Sequence, residues 1–182
     1  MENLAWERQA PTDVTKVGYR TIVNKTFTLP DGLTKTFATS GAEESAAVAT
    51  IAITKDNKVL VVNLFRPGPE KVMQEIPGGG VEPGEDDLAL AAARELAEET
   101  GHKVGSIAYL GYCHYDAYTN GKRHYFLARD CEPTGEGQKL DAEEQLTVSE
   151  ISIEQLIQNA LQGNMTDPGA VMLAYDQLHE LA

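Results

Sequence analysis

Cysteine is scarce in this chain: Cys113 and Cys131 are the only two among 182 residues. Their spacing suits neither a zinc site nor a dense disulfide framework, so both are expected as reduced thiols. Basic residues are also in deficit, 15 Lys and Arg against 28 Asp and Glu, a formal charge of −13. A sequence-blind grip on nucleic acid needs surplus cations to displace counterions from phosphates, so no nucleic-acid partner is expected. No apolar run approaches the roughly 20 residues that a bilayer crossing takes. The start, MENLAWERQAPTD, shows no apolar core of a signal peptide. The expectation is a cytoplasmic protein without a membrane partner. The four histidines, His102, His114, His124 and His179, show no zinc spacing, and repeats and low-complexity tracts are lacking.

What is present is a series of β-rich runs, turns and helical stretches, with a 42% hydrophobic content that suits one domain around a single core. VGYRTIVNKTFT (Val17 to Thr28) followed by LPDG (Leu29 to Gly32) predicts an N-terminal hairpin that returns through residues 33–39. AAVATIAIT (Ala46 to Thr54) and KVLVVNLFR (Lys58 to Arg66), joined by KDN, predict a buried hairpin of central strands. A loop rich in glycine and proline, IPGGGVEPGE, then leads into a helix from Asp86 to Thr100 that stops at Gly101. Two strands flank the turn TNGK. A further strand at Leu146 to Ile151 follows the acidic loop LDAEEQ, and helices are expected over Ile153 to Gln162 and Pro168 to Leu181. This order implies an α/β or α+β sandwich.

The chemistry concentrates in RELAEETG, Arg94 to Gly101. On a helix Glu95 stands three and four residues from Glu98 and Glu99, so the three carboxylates share a side and repel by roughly 0.2–0.5 kcal/mol per pair unless a cation lies between them. Clustered carboxylates are hard oxygen ligands of the kind that hold Mg²⁺ or Mn²⁺ and bridge it to substrate phosphates.

With the loop before it, the string GGGVEPGEDDLALAAARELAEETGH resembles a Nudix box. That pattern is Gly, five residues, Glu, seven residues, then R-E-U-x-E-E-x-G-U with U apolar. The second half falls on Arg94, Glu95, Leu96, Glu98, Glu99 and Gly101, with His102 in the last apolar place. Counting from Gly80 puts Asp86 where the family has Glu. Counting from Gly79 reaches Glu85 but leaves one residue too many before Arg94, so either acid could orient that arginine.

The resemblance implies a Nudix fold, an α/β/α sandwich around a mixed β-sheet with an N-terminal β-hairpin segment. Residues 1–40 would pack on the core or on a dimer partner, and residues 41–182 would form the hydrolase domain. It also implies metal ligation by Glu95, Glu98, Glu99 and the Gly80 carbonyl, Mg²⁺ with Mn²⁺ as an alternative, a small nucleotide substrate and a homodimer. Beyond the box, LPDG, LFRP (Leu64 to Pro67) and EIPGG (Glu75 to Gly79) are similar to segments of the ADP-ribose pyrophosphatase-like branch. That likeness makes Arg66 a contact for substrate phosphate or ribose, and Glu75 a substrate contact or a loop anchor. Glu144 becomes the candidate general base with Glu143 in reserve. Glu98 and Arg94 join the catalytic group, Arg94 as an orienting residue. Trp6 and Phe27 could stack a base or simply pack a sheet face, since N-terminal segments of the branch often reach across a dimer to wall the partner's nucleotide pocket. An SPG segment common in ADP-ribose hydrolases is missing from YCHYDAYTNGKRHYF. Other Nudix substrates are therefore alternatives: an oxidised nucleoside triphosphate, a dinucleoside polyphosphate or GDP-mannose. So is a Nudix-fold module that senses ADP-ribose without cleaving it.

Overall fold

A computed structural model describes residues 4–142 and 144–182. The chain divides into two compact units, one of residues up to 46 with 114–122, the other of residues 47–113 with 123–182.

In the first unit, β1 (Glu7–Val17), β2 (Arg20–Thr28) and β3 (Thr34–Ser40) form an antiparallel sheet in that order. The expected hairpin is β2–β3, with Thr28 opposite Thr34 across the LPDG turn. The sequence reading missed β1, because its polar residues show no clean alternation. Its pairing with β2 is also broken by a register shift between Gln9 and Asp13.

The second unit holds a seven-stranded sheet. Its main path runs β10 (Leu146–Ile151), β5 (Val59–Arg66), β4 (Ala46–Thr54), β9 (Lys122–Pro133) and β7 (His102–Lys103). β6 (Lys71–Glu75) pairs with β5, and β8 (Ser106–Cys113) with β9. The alternation of β4 explains the layers. Ala49, Ile51 and Ile53 face a cluster with Ile153, Leu156, Ala170, Val171 and Leu178, from α2 (Ile153–Leu161), α3 (Pro168–Leu173) and α4 (Tyr175–Leu181). Val48 and Ala52 face the other way, onto Ala91, Ala92 and Leu96 of α1 (Leu88–Thr100). The fold is the mixed α/β arrangement expected, with helices on both faces of the sheet.

Two elements differ from the sequence reading. β6 lies just before the expected loop, where no element was expected, and is held by backbone pairing from Val62–Glu75 to Arg66–Lys71. The last helix breaks at Ala174 into α3 and α4. Among the described residues no helix is long and apolar enough to cross a membrane.

Candidate active site

α1 carries most of the charged groups. Asp87 Oδ1 caps its start by accepting from the amides of Ala89 (2.9 Å) and Leu90 (3.3 Å). Gly101 ends it in the left-handed region at φ 70°, where a side chain would strain the backbone. Burial of Ala91, Ala92 and Leu96 against the sheet fixes the rotation of the helix, and Arg94, Glu95 and Glu99 then meet the 76–85 loop.

Arg94 is the hub of that meeting. Its Nε and Nη2 donate to the two oxygens of Glu85 at 3.2 and 3.0 Å, and Nη1 donates at 2.9 Å to both Glu95 Oε1 and Glu98 Oε2. Nη2 also reaches the Gly80 carbonyl at 3.3 Å. Glu85 rather than Asp86 is therefore the acid that grips Arg94, and the Glu85 hydrogen bonds to Arg94 hold that carboxyl below its usual range.

The carboxylates behind Arg94 are under electrostatic pressure. Glu99 is only 6% exposed, and burial, with Glu95 and Glu144 adding, pushes its carboxyl up to about 8. The Gly78 amide, which donates to Glu99 Oε2 at 2.8 Å, and the positive charge of Arg123 oppose that rise. Burial likewise raises Glu95, against its contact with Arg94. A Cβ on Gly79 would lie 2.5 Å from Glu95 Oε2, so a larger residue there would push the Glu95 carboxylate aside. Among the described residues no three acidic, histidine or cysteine side chains converge as a ready metal cage, because Glu95 and Glu98 are drawn onto Arg94.

Glu144 sits in the loop before β10. Its Oε2 accepts from the Asp141 amide at 3.2 Å, its own amide donates to Asp141 O at 2.9 Å, and its charge raises both Glu95 and Glu99. At the end of β5, Arg66 donates from Nε and Nη2 to the two oxygens of Glu75 at 2.9 and 2.6 Å. The Glu75 side chain is 1% exposed and that of Arg66 40%, so the acid is the anchor and the guanidinium the presented group.

In the first unit, Trp6 stacks on Phe37 at 5.3 Å between ring centroids and meets Phe27 edge-on at 6.0 Å. With Lys25, Tyr118 and Asn120 these rings line a cavity of about 440 Å³.

A family model described as NUDIX domain matches residues 44–173. The chain belongs to the NUDIX domain family. The expected enzyme class, a Nudix hydrolase, stands with that membership. The chain is 32% identical over 136 residues to a Bacillus methanolicus protein named Methanol dehydrogenase activator, covering 74% of this chain and 73% of that one. It is 33% identical to an ADP-ribose pyrophosphatase of Bacillus subtilis, covering 59% of this chain and 58% of the relative. A Saccharomyces cerevisiae ADP-ribose pyrophosphatase matches at 40% identity over 40% of this chain and 32% of its own length. A crystal structure titled as an ADP compounds hydrolase shares the fold at a TM-score of 0.80, with 19% identity, over 99% of this chain and 98% of that one.

Against this Nudix framework, the structure gathers Arg94, Glu95, Glu98, Glu99, Gly80 and Glu144 around one end of α1. Glu75 stands under Arg66, and Glu143 lies outside the described residues. Sequence reasoning missed the ion pair of Arg123 Nε with buried Asp167 Oδ1 (2.9 Å), which also accepts from the Tyr125 hydroxyl (3.1 Å). Burial raises the Asp167 carboxyl and Arg123 lowers it. No local motif signals such a pair, since its members come from β9 and the start of α3.

Proposed function

We propose that the protein is a Mg²⁺-dependent hydrolase of ADP-ribose or a related nucleoside diphosphate sugar, yielding a nucleoside monophosphate and a sugar phosphate. The observation that carries this is the pair of carboxylates Glu95 and Glu99 on the box helix, where burial disfavours charge on each and the charge of Glu144 acts on both. Such a place gains from an added cation, and its oxygen donors suit a hard one. Glu95, Glu98, Glu99 and the Gly80 carbonyl would hold the metal, Mn²⁺ being an alternative. When bound, it supplies polarisation of phosphoryl oxygens and neutralises charge on the leaving phosphate.

The chain's own groups do the rest. Arg94, fixed by Glu85, keeps Glu95 and Glu98 in register. Glu144, with Glu143 in reserve, accepts a proton from the attacking water as its oxygen bonds to phosphorus and the P–O–P bridge breaks. Arg66 offers donors to a phosphate or ribose, and Glu75 sets its direction. For Glu75→Gln, one of the two hydrogen bonds from Arg66 is lost and the other no longer ends on a charged oxygen, so KM should rise about tenfold with kcat less affected. Equal losses in both constants would remove Arg66 from binding.

The ring cluster around Trp6 suits a planar base. Trp6 is the single tryptophan of the chain, so AMP should change the intrinsic fluorescence. Trp6→Leu should weaken AMP binding read by calorimetry, and a silent titration would leave the cluster as packing only. We also propose a homodimer in which residues 1–40 take part, to be read from light scattering.

The deciding assay is release of AMP and ribose phosphate from ADP-ribose in Mg²⁺ and in Mn²⁺. It is compared by kcat/KM with GDP-mannose, an oxidised nucleoside triphosphate and a dinucleoside polyphosphate. Faster turnover of any of these would displace ADP-ribose. Tight binding of ADP-ribose without turnover in either metal would make the protein a sensor. The Bacillus methanolicus relative favours a second reading, the same hydrolysis serving to activate a dehydrogenase, which adding the protein to a methanol dehydrogenase assay would show.

A further inference from the structure

Gly101 caps the backbone of α1, but the charges of its last turn oppose the helix pole. Glu98 and Glu99 stand at the negative pole of the helix, and no basic residue in the last turn offsets them. A last turn of that composition should fray, and with it the two carboxylates. The answer comes from residues 134–139, which follow β9 and cross the end of α1.

The Lys139 amide donates to Glu98 O at 2.8 Å, and Gln138 Nε2 donates to Glu99 O at 2.6 Å. The Thr134 amide and hydroxyl both donate to Gly101 O, at 2.8 and 3.0 Å. Gly137 packs so closely that a Cβ on Gly101 would lie 2.9 Å from its carbonyl carbon. The same segment runs within five residues into Glu144, whose charge acts on Glu95 and Glu99.

We propose that residues 134–139 form a strap that holds the carboxylates of α1 in fixed relation to Glu144, and that Gln138 is its positioning residue. Of the strap's contacts to the backbone of Glu98 and Glu99, the one from Gln138 alone comes from a side chain. Substitution can therefore remove it while the strap's backbone is kept. Gln138 touches neither substrate nor metal in this scheme. It acts through the Glu99 carbonyl, keeping the last turn wound so that the Glu98 and Glu99 side chains leave from a fixed backbone. The inference rests on the metal-site reading above.

The test compares Gln138→Met, which keeps the length and loses the donor, with Gln138→Lys, which restores a donor. Partners behind metal ligands typically account for 10- to 100-fold in affinity or activity. Gln138→Met should weaken Mn²⁺ binding to the substrate-free protein by about tenfold, read by electron paramagnetic resonance. It should also lower kcat to a similar degree while KM stays within about twofold. Gln138→Lys should recover both. A Gln138→Met protein that melts earlier yet binds Mn²⁺ and turns over like the parent would reduce the strap to a stability element. So would a Gln138→Lys protein as impaired as Gln138→Met. If the parent binds Mn²⁺ but cleaves no substrate, the functional proposal fails while the Mn²⁺ comparison still decides this one.

Discussion

Glu99→Gln is expected to cut kcat by roughly a thousandfold, several kcal/mol of transition-state stabilisation, because it removes a charged oxygen donor from the metal site. Its effect on the metal-free fold should run the other way. Burial holds the Glu99 carboxyl near 8 against an ordinary 4.5, so the folded state keeps a proton that the unfolded state releases. Stability from this group is full below about 4.5 and drains away as pH rises through about 8. Gln has no such titration. In metal-free buffer the melting temperature of Glu99→Gln should therefore gain on the parent between those values. Adding Mg²⁺ should reverse the order, since only the parent gains strongly from binding. A variant that kept its turnover would remove Glu99 from the metal site, and parallel pH profiles would remove burial as the source of the shift.

Gly78→Ala should be the most damaging small change to the fold. The 76–80 loop lies along β4, with Thr50 N donating to Pro77 O and Val48 N to Gly79 O, both at 2.9 Å. A Cβ on Gly78 would stand 2.2 Å from Val48 O and 2.6 Å from Ala49 Cα. Neither neighbour can yield cheaply, because both are backbone of a buried central strand. The expected cost is about 3 kcal/mol. The shift would also carry the Gly78 amide away from Glu99, so the folded fraction should lose turnover as well as melting early. Calorimetry and kcat on one preparation check both. A melting temperature within a degree of the parent would show that the loop can lift off β4.

Most elements were legible because their signals are local. The runs at Ala46 to Thr54 and Leu146 to Ile151 match strands β4 and β10, and the box helix ends at Gly101 as expected. β1 and β6 were not legible, since polar strands are made by the partner they pair with and carry little pattern of their own. The rivalry of Glu85 and Asp86 was equally beyond sequence. Both stand next to the helix start, and only the path of the loop brings Glu85 to both Nε and Nη2 of Arg94.

The sequence by itself determined the family, the mixed α/β layers and the crowding of Glu95, Glu98 and Glu99, because spacing along a helix sets which side chains share a face. Tertiary structure decided what those charges experience. Depth of burial, the cation placed among them and the donors brought to the helix end arise from loops distant in sequence. Arg94 gripped by Glu85, Glu75 buried beneath Arg66, and residues 134–139 closing the end of α1 are contacts that no periodicity encodes.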